Sequence, residues 1–294
     1  MNREGIIIGG GAAGLMAAIT AAESGASITI LEHMPRVGKK ILSTGNGKCN
    51  MTNFHMTAEC YRSGVKDVPM QVIKTFSVDD TIAFFRRLGV LTTDRNGYVY
   101  PASGQAQTVL DALREKADSL GVQTFCDSKV ISINKKKNGR FEVKTELKAY
   151  LSDFVILCAG SMAAKTTGSD GSGYELAKSM GHKIKKPLPA LVQLKCKGDF
   201  FKSLAGVRTD VNVSLYAMEK NGDIGMLLAE DQGELQLTDY GISGIPVFQV
   251  SRYAAEALDR KKRVLAVVDF MPDRSEEELF AILKDQKRYP HIHS

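Results

Sequence analysis

A glycine-rich turn near the N-terminus carries the most specific chemistry in this sequence. Residues Gly9 to Gly14 read GGGAAG and match the spacing G-x-G-x-x-G between an apolar strand and an alanine-rich helix. Glycines at these positions permit a tight turn and let the backbone approach a diphosphate, while the helix N-terminus offers free N–H groups. Glu32 lies 23 positions after Gly9, where a carboxylate can accept ribose hydroxyl groups. The pattern predicts a dinucleotide site; the alternative is a turn that serves only strand–helix packing.

The same carboxylate narrows the choice of dinucleotide. Because a second anion would be repelled here, the 2′-phosphate of NADP is disfavoured, which leaves FAD or NAD. The segment Gly38–Asn53 favours FAD, since its glycines Gly45 and Gly47 and several small polar residues could place backbone against a large flat ring. Lys39 and Lys40 could reach phosphate oxygens. The alternative interpretation of this segment is a flexible polar loop.

Few side chains stand out as catalytic groups. Flavin disulfide reductases need two cysteines a few residues apart, whereas Cys49 stands alone and is expected to pack as a small apolar group. Three tyrosines could orient a substrate or donate a proton, although tyrosines in such places more often cap a core: Tyr98, Tyr100 and Tyr240. The flavin ring itself carries the hydride, so few side chains are needed. We therefore assign no catalytic residue.

No metal site is expected. The histidines His33, His55 and His182 lack the spacing of metal ligands, and His291 and His293 lie at the very terminus. The sequence also contains neither G-x-S-x-G nor a Walker lysine loop, the commonest hydrolase and nucleoside-triphosphatase motifs. Redox chemistry on a dinucleotide remains the main interpretation.

Hydrophobic periodicity predicts the elements that position these residues. Strand Gly5–Ile8, helix Ala12–Ser24 and strand Ser27–Leu31 form a βαβ unit around the glycine turn. Phe154–Cys158 is a continuous apolar run, typical of a strand covered on both faces, and is expected to join the same sheet. We also predict a helix from a capping box at Ser77–Asp80, a helix over Gln105–Leu120, a hairpin of Val130–Asn134 with Arg140–Thr145, and a helix ending at Met180.

From about Pro187 the pattern becomes that of an antiparallel sheet. Apolar and polar residues alternate from Val207 to Leu215 and again at Leu235 and Leu237, as in a sheet with one exposed face. The remaining predictions are a helix near Pro246–Leu258, a strand near Val264–Phe270 and a last helix opened by a capping box at Ser275–Glu278.

Composition places the chain among ordinary globular proteins. Its 294 residues, 44% hydrophobic and 24% charged, argue against disordered and collagen-like classes and suggest about two domains. A net charge of +6 suits a phosphate-bearing ligand but is too small to imply nucleic acid. Widely spaced cysteines, no signal-like N-terminus and no membrane-length apolar run predict a cytoplasmic protein with no membrane partner. No feature indicates an oligomeric state.

Taken in chain order, the motifs resemble those of the BaiN-type (BaiN/RdsA) NAD(P)/FAD-dependent oxidoreductases, a family that also contains an aminoacetone oxidase. The resemblance begins with the glycine turn and Glu32 and continues over essentially the whole chain. Its further motifs are GKKILSTGNGKCNMTN at Gly38–Asn53, NGYVYPASGQA at Asn96–Ala106, VILCAG at Val155–Gly160, GSDGSGYELAKSMGH at Gly168–His182 and LTDYGISGIP at Leu237–Pro246.

The resemblance implies an α/β fold with FAD as cofactor. It implies a Rossmann-like FAD-binding domain of the two-dinucleotide-binding-domain flavoprotein type, with an inserted β-rich domain and a small helical region. We accordingly expect the FAD-binding domain over residues 1–187 and the inserted substrate domain over residues 188–294. NAD(P)H is a candidate electron donor, although a second clean G-x-G-x-x-G is missing and Gly168–Gly173 matches it poorly.

Carried over by position, the resemblance also implies cofactor-binding residues. The diphosphate would lie at Gly9, Gly11, Ala12, Ala13 and Gly14, and the ribose at Glu32. The flavin side would be lined by Gly45, Gly47, Cys49 and Asn50. Val130 would contact the adenine through its backbone, and Ala159 with Gly160 would close over the cofactor. Lys40 completes the predicted cofactor site.

Two departures from the family pattern are visible. Ala159–Ser161 reads Ala-Gly-Ser where members commonly carry a Thr-Gly-Gly-type turn. Family members also return to the FAD domain with a C-terminal glycine-rich segment over the isoalloxazine, and nothing after Pro272 resembles it. The chain is therefore expected to stop inside the inserted domain, as a truncated or a diverged member.

The expected function is that of an FAD-dependent oxidoreductase that exchanges a hydride between flavin and a small organic substrate held between the two domains. An NAD(P)H-dependent reductase of an enone or similar double bond is the first choice. The alternatives are a flavin amine oxidase of the aminoacetone-oxidase type and a non-catalytic nucleotide-binding module. A third alternative is a flavoprotein that modifies RNA, suggested by the lysine clusters at Lys135–Lys137 and Lys183–Lys186.

Overall fold

Strands and helices alternate through the first part of the chain, whereas antiparallel strands dominate the second. The computed structural model describes residues 3–62, 64–65 and 67–284, and the chain divides into two units, residues 1–185 and 186–294. The first unit contains β1 (Glu4–Ile8), α1 (Ala12–Glu23), β2 (Ser27–Leu31), α2 (Lys39–Ser43), β3 (Thr52–Asn53), α3 (Val68–Thr75), α4 (Val78–Arg87), β4 (Thr92–Arg95), β5 (Tyr98–Pro101), α5 (Ala106–Ser119), β6 (Gln123–Phe125), β7 (Val130–Lys135), β8 (Phe141–Thr145), β9 (Ala149–Ser152), β10 (Phe154–Leu157) and α6 (Ser172–Ser179). The second contains β11 (Leu194–Lys195), α7 (Phe201–Leu204), β12 (Arg208–Met218), β13 (Ile224–Thr238), β14 (Gly241–Gly244), α8 (Ile245–Asp259), β15 (Val264–Asp269) and α9 (Glu276–Lys284).

The first unit contains a parallel sheet with the strand order β10-β1-β2-β6. β1 pairs in parallel with β2 and with β10, so the predicted βαβ unit and its third strand are both present. The apolar run ending at Cys158 is packed on both faces, as expected, because Phe154, Ile156 and Cys158 contact one hydrophobic cluster and Val155 contacts another. β10 is the outer strand of the sheet that the described residues form, and Leu157 is 37% exposed.

Apolar side chains from the sheet and two helices form the main core of the first unit. Ile7 and Ile30 of the sheet pack in one cluster with Leu15 and Ile19 of α1 and Leu113 of α5, and all five are almost fully buried. A second cluster joins the sheet to the antiparallel sheet β7-β8-β9. Hydrophobic contacts on both faces of the sheet therefore fix the positions of β1, β2 and β10.

The segment Gly38–Asn53 folds into defined structure and is not the polar loop of the alternative interpretation. Gly38 has a φ of +69° and donates its N–H to the Gly10 carbonyl oxygen over 2.8 Å, which anchors α2 beside the glycine turn. A single 3₁₀ turn follows at Thr44–Gly47. β3 then pairs with β5 in a small antiparallel sheet of order β3-β5-β4, which the sequence did not predict.

The second unit is the antiparallel sheet that the alternation predicted. Its order is β11-β14-β13-β12-β15, and neighbouring strands pair in antiparallel fashion. Most of the expected inward residues are buried with Val247 and Val250 of α8: Val211, Val213, Leu215, Leu235 and Leu237. Val207 is an exception, because it precedes β12 and is 46% exposed. The capping box of α9 is also present, because Ser275 and Glu278 exchange hydrogen bonds of 3.0 and 3.2 Å.

The described residues form neither a membrane-spanning helix nor a cluster of metal-ligating side chains. Among them no helix is long and apolar enough to cross a membrane. In the same part of the chain no group of three or more His, Cys, Asp and Glu side chains is placed to hold a metal ion. His291 and His293 lie outside the described residues.

Candidate nucleotide-binding site

A cavity of about 410 Å³ opens in the first unit at the carboxyl ends of β1, β2 and β10. This is where ligands bind in α/β sheets, because loops diverge there and leave a crevice. One part of the wall is polar backbone and the other is apolar. The apolar wall is formed by Met16 of α1, Ile41 of α2, Met51, Phe85 of α4, and Val109 and Leu113 of α5.

The glycine turn forms the polar end of this cavity. A Cβ atom on Gly14 would collide with the Gly9 carbonyl oxygen, so this glycine lets α1 pack closely against β1. Gly11 differs, because a Cβ atom there would meet nothing within 4 Å. Gly11 is also the N-cap residue of α1 and offers no side-chain cap, so the first amides of the helix are left for a ligand. The backbone can therefore be approached closely by a diphosphate.

Glu32 is a buried carboxylate whose orientation is fixed. It is 7% exposed, and its oxygens accept hydrogen bonds from the Gly10 N–H at 2.6 Å and the Met34 N–H at 2.7 Å. The Nδ1 atom of His33 lies 3.3 Å from Oε1. Each carboxylate oxygen has further acceptor capacity. The side chain can thus accept hydroxyl groups from a ribose without moving.

Residues from two distant segments meet across the cavity. The Lys40 ammonium donates a hydrogen bond of 3.3 Å to Ser169 Oγ. Ser169 follows a 3₁₀ turn at Lys165–Thr167 and is buried, although the sequence analysis did not single it out. Lys40 and Ser169 therefore line the same cavity as the glycine turn.

The turn between α2 and β3 has an unusual backbone. Gly45, Asn46 and Cys49 have φ values of +54°, +54° and +57°, a region in which non-glycine residues are uncommon. Asn50 holds this turn, because its Nδ2 donates to the carbonyl oxygens of Thr52 and Val99 at 3.2 Å each. The Asn50 amide nitrogen is thus engaged by the protein itself.

Cys49 behaves as the packed thiol that the sequence suggested. It is buried and lines the cavity, and burial raises the pKa of its thiol despite a hydrogen bond from Thr44. Cys158 lines the same cavity, and burial raises the pKa of this thiol as well. Both side chains are therefore protonated at neutral pH, which suits packing and not nucleophilic attack.

Most of the predicted cofactor residues line this single cavity: Gly9, Gly11, Ala12, Ala13, Glu32, Lys40, Cys49, Asn50, Ala159 and Gly160. Four others do not. Gly14 lies behind the turn, Gly45 and Gly47 lie within the 3₁₀ turn, and Val130 is buried in the cluster with Ile6 and Leu31. The roles of all these residues toward a cofactor stay predictions.

The tyrosines considered as catalytic groups are dispersed. Tyr100 packs beside the turn, with its ring 3.5 Å from where a Cβ atom of Gly45 would lie. Tyr98 is half exposed on β5, and Tyr240 belongs to the second unit. None of the three lines the cavity among the described residues.

The structure adds cavity residues that sequence reasoning missed: His33, Met34, Arg36, Thr44, Cys158, Thr167, Gly168 and Ser169. The sequence contained a signal for Gly168 and Ser169. The stretch Gly168–Gly173 is rich in glycine and precedes a helix, but it matched no phosphate-binding pattern well. Its contribution comes from the turn before α6 and not from the N-terminus of that helix.

The fold and this cavity define a nucleotide-binding protein of the Rossmann type. The chain belongs to the family described as "HI0933-like protein Rossmann domain", whose model matches residues 3–244. Both the α/β fold class and the family resemblance drawn from the motifs are thereby confirmed.

Two relatives illustrate the range of this similarity. The chain is 46% identical over 275 residues to the 3-dehydro-bile acid delta(4,6)-reductase of Clostridium scindens, a match that covers 93% of this chain and 65% of the relative. It is 25% identical over 283 residues to a ribosomal RNA dihydrouridine synthase of Haemophilus influenzae, which covers 94% of this chain and 66% of that relative. The chain thus spans slightly less than two thirds of the length of the curated relatives it matches.

Proposed function

We propose that this protein is an FAD-dependent oxidoreductase that exchanges a hydride between flavin and a small organic substrate. The proposal rests on one observation, which is that the surfaces suited to different parts of FAD line a single cavity. The glycine turn, the Glu32 carboxylate and a set of apolar side chains face the same space. FAD contains a diphosphate, an adenosine ribose and a large flat ring with an apolar end, and these surfaces suit those parts.

The residues fit the cofactor on structural grounds. Open space at Gly11 admits a phosphate group to the backbone, whereas the crowded Gly14 position serves the packing of α1. Glu32 is held by two backbone amides and offers acceptors to hydroxyl donors. Met51 and Phe85 supply apolar surface to the same cavity. A turn that serves only packing does not need the open space at Gly11.

This assignment gives each group a binding role. The amides at the start of α1 and Lys40 would hold the diphosphate, and Glu32 the ribose. The turn before Asn50, together with Ala159 and Gly160, would support the ring. When bound, FAD supplies the hydride transfer itself, so the protein binds, orients and excludes water. In this proposal residues 1–187 form the FAD domain, with Val130 beside the adenine, and residues 188–294 form the substrate domain.

We favour a reductase over an oxidase for the direction of the reaction. The relative with 46% identity is named as a delta(4,6)-reductase, and the relative with 25% identity is named as a dihydrouridine synthase. Both names describe the saturation of a carbon–carbon double bond. We therefore propose an electron-poor carbon–carbon double bond next to a carbonyl group as the substrate class. NAD(P)H is the proposed electron donor.

A nucleobase within RNA is the second candidate substrate. The first unit contains 24 Lys and Arg against 17 Asp and Glu, whereas the second contains 15 against 16. The basic excess therefore belongs to the unit with the cavity, and it would favour a polyanion. A steep loss of RNA affinity with rising salt would support this candidate, and salt-independent or absent binding would remove it.

The visible spectrum of the purified protein tests the proposal. We expect a yellow protein, or one that becomes yellow with FAD, and release of a ligand with the mass of FAD. Anaerobic mixing with NADH or NADPH should then bleach the flavin. A protein that binds neither FAD nor ADP would overturn the assignment, and bleaching only by an amine substrate would favour the oxidase.

A further inference from the structure

Lys40 meets a neutral hydroxyl group at the polar end of the cavity. Its ammonium donates to Ser169 Oγ at 3.3 Å, and among the described residues no carboxylate pairs with it within 4.0 Å. Lys40, Ser169 and the glycine turn Gly9–Ala13 line one cavity. A hydroxyl group accepts a hydrogen bond without cancelling the charge, so the ammonium can still bind an anion strongly.

The turn that carries Ser169 is closed by its own hydrogen bonds. The N–H of Ser169 donates to the Ala164 carbonyl oxygen at 3.0 Å. Thr167 donates to the same oxygen from both its N–H, at 3.1 Å, and its Oγ1, at 3.0 Å. Because several donors converge on Ala164, the backbone of Ser169 has a defined position.

Neighbouring segments fix the Ser169 hydroxyl as well. Ser169 is 5% exposed. A Cβ atom on Gly160 would lie 2.8 Å from Ser169 Oγ, so the missing side chain at Gly160 makes room for the hydroxyl. On the other side, a Cβ atom on Gly168 would lie 3.2 Å from the His33 ring, so the turn packs closely on the residues after β2.

We propose that Ser169 is a positioning residue, which holds the Lys40 ammonium in the cavity that the glycine turn also lines, so that it binds the diphosphate of the dinucleotide. This inference rests on the proposed function and adds the residue through which Lys40 acts. A free lysine side chain loses much rotamer freedom when it binds a ligand. Ser169 reduces this loss because it holds the side chain across the cavity before the ligand arrives.

Titrations with ADP and with adenosine test this inference. We expect Lys40→Met to weaken ADP binding about tenfold, since a charge-assisted contact is lost. Ser169→Ala should weaken it about threefold to tenfold through lost pre-organisation. Adenosine, which has no phosphate, should bind all variants equally. In the Lys40→Met background, Ser169→Ala should have no further effect, because Ser169 acts only through the lysine.

Two matched substitutions serve as controls. Thr166→Ala alters an exposed residue of the same turn, and Lys39→Met removes the neighbouring charge of α2. The first should leave ADP affinity unchanged, and the second should have a smaller effect than Lys40→Met. Lys40 is exposed, so its variant is expected to fold even where Ser169→Ala does not.

The outcomes separate this inference from the proposed function. Wild-type ADP affinity in Ser169→Ala, or equal losses for ADP and adenosine, overturns the positioning role alone. Independent, multiplying effects of the two substitutions also overturn it. A parent protein that binds neither ADP nor FAD overturns the proposed function and this inference together.

Discussion

The Gly10 N–H donates a 2.6 Å hydrogen bond to Glu32 Oε2, which joins the glycine turn to the carboxylate at the end of the next strand. The two features that define the predicted dinucleotide site are therefore one hydrogen-bonded unit. A second amide, of Met34, holds the other carboxylate oxygen. The carboxylate thus has a structural role in addition to its proposed role as a ribose acceptor.

Removal of the Glu32 carboxylate tests both roles. We expect Glu32→Ala to weaken FAD and ADP binding at least about tenfold, because a charged acceptor is lost and two buried amides lose their partner. Glu32→Gln retains one carbonyl acceptor but turns an NH₂ donor toward the other buried amide, so it should also lose stability. Fluorescence titration gives the affinities and thermal denaturation gives the stability. Unchanged ADP affinity in Glu32→Ala would contradict the ribose role.

Substitutions of Gly14 and Gly11 should separate the effect of helix packing on stability from the effect of backbone access on ADP binding. Gly14→Ala places a methyl group against the Gly9 carbonyl oxygen and should cost about 1–3 kcal/mol of unfolding free energy. Gly11→Ala meets open space and has an ordinary φ of −80°, so its stability should stay within about 0.5 kcal/mol. Its methyl group should nevertheless hinder a diphosphate and weaken ADP binding. Chemical denaturation and ADP titration together check the pair; equal stability of both variants would refute the packing argument.

We expect substitutions of Asn50 to weaken binding of FAD, through its flavin ring, and to leave binding of ADP unchanged. Asn50→Ala removes two hydrogen bonds that hold the turn, worth about 1 kcal/mol each. Asn50→Asp should be worse, because a carboxylate cannot donate and is repelled by the two carbonyl oxygens. The expected result is a raised Kd for FAD with an unchanged Kd for ADP. Parallel loss of both affinities would show that the turn does not serve the ring.

The rates at which the Cys49 and Cys158 thiols are alkylated should report ligand binding in the cavity. Burial raises the pKa of Cys49 and Cys158, so less thiolate is present at any given pH and iodoacetamide should react slowly near neutrality. The rate should increase as the pH rises toward these elevated pKa values. FAD should protect both thiols, whereas the exposed Cys60 serves as the unprotected control. Peptide mass spectrometry measures each site, and equal protection of Cys60 would point to a general change in the protein.

Several elements were predictable because their signals are local. The glycine turn, Glu32 and the βαβ unit follow from a short pattern and from strand and helix periodicity. The same is true of the capping box at Ser77, where the N–H and side-chain bonds to Asp80 are both formed. β3 was not predictable, since two residues have no periodicity and Thr52–Asn53 becomes a strand only by pairing with β5.

The glycine turn and Glu32 could be predicted as a diphosphate and ribose site from sequence, because tight turns and helix N-termini depend on residues close together in the chain. Which distant residues line the same cavity became visible only in the folded chain. Ser169 reaches Lys40 across 129 residues, and β10 takes an outer position in the sheet that the described residues form. Such facts depend on how sheets and turns pack, and packing is set by contacts that no short stretch of sequence contains.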